Sequence, residues 1–215
     1  MSEVSWTVIV PVKRLATAKS RLRGGLGAVP RERLALALAL DTVAAALSCP
    51  AVARLLVVTA DPVAGAALRA LGARIVPDPP VGGLNGAFRA GAELARDDDR
   101  HVAALTADLP ALRPAELAAA LRAAARGPGH ARHFVADAPA TGTVLLTAAP
   151  GVTLDPRFGV GSAAAHAASG ARPLTGDWPS LRRDVDTPAD LALAAALGLG
   201  PHTAALLPAP APAES

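Results

Sequence analysis

Only two of the 21 Lys and Arg side chains are lysines, Lys13 and Lys19, and both sit in one segment, VKRLATAKSRL from Val12 to Leu22. Arginine does not replace lysine where a compact point charge must reach a phosphate. Two lysines six residues apart in an arginine-rich chain therefore mark this segment. With Arg14 and Arg21 they place four cations on one loop that runs into a helix start, a suitable cradle for a nucleoside triphosphate. The glycines of a GxxxxGK[ST] phosphate loop are absent, so this is a different kind of nucleotide loop. A solvated basic helix start is the plainer alternative.

Two acidic segments could hold a divalent cation. In LTADLP, Asp108 directly follows an apolar run and precedes a proline, which suits a metal ligand and equally suits a turn cap. In RRDVDTP, Asp184 and Asp186 stand at i and i+2, on the same side of an extended backbone. Their mutual repulsion would be relieved by a cation or by neighbouring arginines; alternatively, Asp186 caps the helix that begins at Pro188. Mg²⁺ prefers clustered oxygen ligands of this kind.

Two further segments suit a small anion. Asp137–Thr143 (DAPATGT) is a turn with two hydroxyls beside a glycine, and Arg157–Ser162 (RFGVGS) opens a helix that Ser162 would cap. Ordinary glycine turns would read the same way. His166 reads as a packing or surface histidine. The sole asparagine, Asn85 in GGLNG, suits a base edge or a ribose hydroxyl, or a plain turn.

The elements that must position these residues alternate. Apolar runs at Trp6–Val12, Arg54–Thr59, Ala73–Pro77 and His101–Thr106 read as strands. They are separated by helical stretches at Arg31–Leu47, Pro62–Leu71 and Asn85–Ala95, and followed by one at Pro114–Arg126. This spacing predicts an α/β fold, a mostly parallel sheet with helices on both faces. Ligands then bind beyond the carboxyl ends of the strands. His133–Ala136 and Gly142–Thr147 read as an antiparallel pair, Ser162–Ser169 as a helix, Ala171–Leu174 as a strand and Pro188–Leu197 as the last helix. Residues 1–200 thus form one domain, and the Ala/Pro-rich residues 201–215 read as a disordered tail.

Composition narrows the class. No stretch approaches the ~20 apolar residues of a membrane helix, the start shows no signal-peptide pattern, and the one cysteine, Cys49, suits a reducing interior. The expectation is a soluble, cytoplasmic protein with no membrane partner. A net charge of +3 with 2% aromatic residues fits small anionic substrates better than nucleic acid.

Taken together and in order, PVKRLATAKSRL, LTADLPAL, DAPATGTVLL, RFGVGSAAAH and RRDVDTPADL resemble the phosphoenolpyruvate/2-phospho-L-lactate guanylyltransferases of coenzyme F420 biosynthesis, across about residues 6–197. The resemblance implies a three-layer, Rossmann-like nucleotidyltransferase fold. It implies transfer of GMP from GTP, with Mg²⁺, onto phosphoenolpyruvate or 2-phospholactate. The product would pass to the downstream transferase of the pathway. It also implies that Asp108, Asp184 and Asp186 hold the metal and that Thr143, Gly159 and Ser162 contact the phosphorylated acid. Lys13 and Lys19, with Arg14 and Arg21, would attend the nucleotide and its leaving pyrophosphate. Gly161 stands where an acidic residue is often found. Competing readings are a nucleotidyltransferase with another phosphorylated acceptor, a non-catalytic nucleotide-binding module, and a glycosyltransferase using Asp184–Val185–Asp186.

Overall fold

The structure, a computed structural model, describes residues 4–17, 29–95, 100–127 and 131–207. Seven strands form one sheet in the order β3-β2-β1-β4-β6-β5-β7. They are β1 (Trp6–Pro11), β2 (Val52–Thr59), β3 (Arg74–Pro77), β4 (His101–Leu105), β5 (Arg132–Ala136), β6 (Thr143–Ala148) and β7 (Arg172–Pro173). All neighbours run parallel except across β6, which is antiparallel to both β4 and β5.

The strands are apolar on both faces because both faces are covered. Along β1, Val8 and Val10 enter one core layer and Ile9 the other. The first layer takes its cover from α1 (Arg31–Leu47), α2 (Pro62–Ala70) and α4 (Pro114–Ala125), through Val43, Leu68 and Leu121. The second takes it from α3 (Gly83–Glu93) and α5 (Ser162–Ala168), through Phe88 and Ala163. A third cluster joins the far side of α1 to α7 (Pro188–Leu197) through Leu34, Leu38, Val185 and Leu191. This is the three-layer arrangement that the alternation of strands and helices predicts.

Sequence pattern did not anticipate two short helices, α6 (Pro179–Arg182) and α8 (Pro201–Ala204). The second corrects the expectation of a loose tail from residue 201. Asp41, 4% exposed on α1, accepts hydrogen bonds from the backbone N–H groups of His202 (3.0 Å) and Thr203 (2.7 Å). A carboxylate from a distant helix thus satisfies the first amide groups of α8, the task a local cap residue would otherwise perform. Residues 208–215 lie outside the described residues.

Losing that remote cap should undock α8. Asp41→Ala is expected to lower the unfolding free energy by about 1–3 kcal/mol, read by urea denaturation, and to speed proteolysis near residue 200.

Candidate functional site

The carboxyl ends of β1, β2, β3 and β4 share one edge of the sheet, and the antiparallel β6 begins at that same edge. Most of the residues singled out from sequence meet there.

Beyond β1, Lys13 and Arg14 are exposed. Their backbone is tethered on both sides. The N–H of Val12 donates to Val58 O (2.9 Å), and that of Leu15 donates to Asp61 Oδ2 (3.0 Å). Leu15 itself is buried, opening a short 3₁₀ turn at Leu15–Thr17. The other oxygen of Asp61 caps α2, accepting from Val63 and Ala64 N–H at 3.0 Å each. Burial pushes the Asp61 pKa upward, but the bonds from Ala64, Leu15 and Val63 and the charge of Arg14 outweigh it. The carboxyl is held below its ordinary range, and it fixes the path of the basic loop. A cleft of about 220 Å³ opens beside that loop, bounded by Val12, Lys13, Arg14, Asp78, Gly83 and Leu84. Lys19 and Arg21 lie outside the described residues.

Asp108 follows β4, half-buried. Its backbone carbonyl accepts the N–H of Val185 at 3.0 Å, which lays Asp184–Val185–Asp186 alongside it. Val185 is fully buried against α1 and α7, whereas Asp184 is half-buried and Asp186 exposed. Extended alternation therefore turns both acids away from the core while Val185 anchors the segment. The cap of α7 is Thr187 rather than Asp186. Thr187 Oγ1 accepts from Asp190 N–H (3.2 Å), and the Asp190 carboxylate accepts from Thr187 N–H (2.8 Å), a reciprocal capping box. The preceding Arg182 ties the segment to the end of β5 and to the residue after β7, donating to Ala136 O (2.8 Å) and Leu174 O (2.9 Å). Among the described residues no three His, Cys, Asp or Glu side chains are already gathered into a metal cage. The three aspartates share a neighbourhood set by backbone pairing.

The hairpin turn is shaped by Asp137, whose carboxylate accepts from Thr141 N–H (2.9 Å) and Gly142 N–H (2.8 Å). Thr143 follows, 5% exposed, and the next residue, Val144, accepts the Thr106 N–H at 3.0 Å. Continuing the same register, Thr143 stands opposite Ala107, the residue before Asp108. Gly159 (φ 141°) and Gly161 (φ 71°) adopt conformations disfavoured for other residues, and both are exposed with open space where a side chain would stand. Gly161, not Ser162, occupies the cap position of α5; Ser162 is the first helical residue and is buried.

Two side chains hold this loop from beneath. Asn85 on α3 donates to Phe158 O (3.0 Å) and accepts from Phe158 N–H (2.8 Å). Both ends of its carboxamide engage backbone, so the structure shows Asn85 as a clamp on the loop, a role distinct from both the base or ribose contact and the plain turn read from sequence. His166 is fully buried, which favours the packing alternative over the surface one. Its Nδ1 lies 2.9 Å from Thr143 Oγ1, and its Nε2 accepts from Arg157 N–H at 2.9 Å. Sequence reasoning missed the roles of Asp61, Arg182 and His166, whose partners lie far along the chain or on backbone atoms. A larger hollow of about 520 Å³ lies at the opposite edge, beside Val102 and Ala149, and contains none of these groups.

Over residues 6–198 the chain matches the family described as "Guanylyl transferase CofC like". The chain belongs to this family. It is 65% identical over 207 residues to a phosphoenolpyruvate guanylyltransferase of Salinispora arenicola, covering 96% of this chain and 95% of that one. It is 60% identical to that of Geodermatophilus obscurus (94% of each chain). It is 49% identical to that of Mycolicibacterium gilvum (91% and 92%). Among solved structures it resembles a nucleotidyl transferase from Methanothermobacter thermautotrophicus, with a TM-score of 0.59 at 19% identity over 91% of this chain and 98% of that one. It also resembles the CMP:2-keto-3-deoxy-manno-octonic acid synthetase complexed with CTP, with a TM-score of 0.55 at 15% identity over 90% and 98%. These likenesses establish a nucleotidyltransferase-like fold for this CofC-like guanylyltransferase.

Burial first, then the charges of Arg132 and Arg157, push the His166 pKa down from its ordinary value to about 4, against the opposing charge of Asp155. The neutral ring is therefore the folded form. Between pH ~6.5 and 4 the unfolded chain binds the proton and the folded one does not, so stability is full above the upper limit and falls on acidification. Replacing His166 with Phe should flatten that part of the pH–stability curve by about 1–3 kcal/mol, measured by urea unfolding at pH 7 and pH 4.5.

Proposed function

We propose that this guanylyltransferase moves GMP from GTP onto a small phosphorylated acid, phosphoenolpyruvate first among the candidates, and releases pyrophosphate. The observation that carries the reading is the convergence on one sheet edge of a basic loop, three aspartates and Thr143. The names of the chain's relatives supply the substrate class.

Mg²⁺ fits the donor set on chemical grounds. All three donors are carboxylates, they come from two segments joined by the Val185–Asp108 bond, and they are not closed into a cage. A hard octahedral ion that shares its ligands with phosphate oxygens suits such an open set. Asp108, Asp184 and Asp186 would hold it, and when bound it offsets the negative charge of the phosphates.

The chain's own residues do the rest by position and charge. An oxygen of the acceptor phosphate forms a bond to the α-phosphorus as the bond from that phosphorus to the bridging oxygen breaks. Pyrophosphate leaves with the bridging oxygen. The attacking oxygen is already anionic, so no general base is required. The barrier lies in bringing two anions together and in accommodating the charge on the leaving group. Lys13 and Arg14, at the mouth of the 220 Å³ cleft, lie on the triphosphate side, with Lys19 and Arg21 assigned there by sequence. Thr143, the open backbone at Gly159 and Ser162 take the acceptor. The product would be handed to the transferase that consumes it.

Pyrophosphate release should require GTP together with one phosphorylated acid, among GTP, ATP, CTP and UTP tried with phosphoenolpyruvate, 2-phospholactate or no acceptor. Release with another nucleotide, or without acceptor, would overturn the substrate assignment. Asp186→Ala is expected to lower turnover by about three orders of magnitude or more while unfolding as the parent does. Chelation by EDTA should abolish turnover and added Mg²⁺ restore it; near-normal turnover in the folded variant or under EDTA would sink the metal assignment.

A further inference from the structure

We infer that His166 is a positioning residue for acceptor recognition, acting through its hydrogen bonds to Thr143 and Arg157 to direct the Thr143 hydroxyl proton toward the bound acid. This rests on the acceptor site proposed above and adds a residue beneath it.

The amide of Arg157 fixes the tautomer of the ring. A backbone N–H can only donate, so the Nε2 that it meets at 2.9 Å must present its lone pair. In the neutral ring the hydrogen then sits on Nδ1, which faces Thr143 Oγ1 at 2.9 Å. Thr143 Oγ1 is thereby the acceptor in that pair, and its own proton is turned to a different partner. A hydroxyl fixed in this way donates to an anion and cannot rotate to present only a lone pair. Thr143 begins β6 at the sheet edge where the aspartates gather, the edge at which the acceptor is assigned, so a bound acid is the partner inferred for that proton.

The ring cannot turn away from this task. It is fully buried, with Phe158 edge-on at 5.1 Å between centroids and Phe134 at 6.0 Å. Phe158 is held in turn by the Asn85 clamp and by stacking on Phe88 at 4.4 Å. Through Arg157 N–H the same ring sets the start of the 157–161 loop, exposed except at Phe158, which leads to Ser162. One imidazole therefore orients the hydroxyl on one side of the acceptor site and the loop on the other. The charged groups around it are Arg132, Asp155 and Arg157. Asp155 bridges Arg132 at 3.0 Å and Arg157 at 3.2 Å, so it partly neutralises both arginines and the ring gains no net pull toward protonation. A protonated ring would set N–H against the Arg157 N–H and lose that contact.

The test is steady-state kinetics of acceptor-dependent pyrophosphate release by the full chain with GTP and phosphoenolpyruvate. His166→Phe keeps an aromatic ring and removes both hydrogen bonds; His166→Asn keeps a donor at the Nδ1 position. His166→Phe should raise KM for the acceptor about 10-fold or more with KM for GTP changed less than about twofold. His166→Asn should recover part of the loss. In a Thr143→Val background His166→Phe should cost distinctly less than in the parent, because the two act as a unit. If His166→Phe does not fold, the His166→Asn and Thr143→Val pair decides by the same non-additivity. An unchanged acceptor KM in a folded variant, equal rises in both KM values, or full additivity with Thr143→Val would overturn the inference. Absence of acceptor-dependent release by the parent enzyme would instead overturn the functional reading on which it rests.

Discussion

A backbone hydrogen bond, from the N–H of Val185 to the carbonyl of Asp108, joins the two acidic segments of this protein. The segments are far apart in sequence, and this pairing sets Asp184 and Asp186 beside the end of β4. The bond is maintained by features on both sides of it. Val185 is fully buried between α1 and α7, so the segment cannot rotate without exposing an apolar side chain. Arg182 pins the approach to the end of β5, and the Thr187–Asp190 capping box fixes the exit. Ordinary packing thus accomplishes the electrostatically costly step of placing three carboxylates in one neighbourhood.

The direction of β6 is the second constraint. A sheet whose strands all ran parallel would present at its carboxyl edge only the loops that leave strands. Because β6 runs the other way, the edge also receives the residue that enters a strand, and that residue is Thr143. The basic loop after β1, the aspartate after β4 and the hydroxyl before β6 therefore meet on one rim. Attack by one phosphate on another requires two anions side by side, and this rim offers cationic, oxygen-ligand and hydroxyl-donor groups in sequence across adjacent strands.

Most of the framework was legible in the chain. Apolar β-branched runs marked β1, β2 and β4, and α1 falls on Arg31–Leu47 as the spacing predicts. The convergence of Lys13, Asp108 and Thr143 on one edge follows from strand order and the carboxyl-end rule. What was not legible depends on partners distant in sequence. The α8 helix is four residues long in an Ala/Pro-rich segment, and its cap, Asp41, lies 161 residues away from His202. Asn85 looked like a ligand-reading amide or a plain turn because its partner, Phe158, is 73 residues on and offers only backbone atoms. Ser162 looked like a cap because serine usually is one; Gly161, in the left-handed region, took that position. His166 gave no signal beyond its residue type, since its meaning lies in an amide and a hydroxyl from two other segments.

The cation site proposed for Asp108, Asp184 and Asp186, completed by the nucleotide, is open to direct count. Mn²⁺, with its unpaired electrons, can stand for Mg²⁺ and be counted by electron paramagnetic resonance. With a non-hydrolysable GTP analogue present, one tightly bound Mn²⁺ per chain is expected. Loss of that ion is expected in each of Asp108→Asn, Asp184→Asn and Asp186→Asn, with the fold retained. Unchanged Mn²⁺ binding in any one of these variants would contradict a shared three-aspartate site.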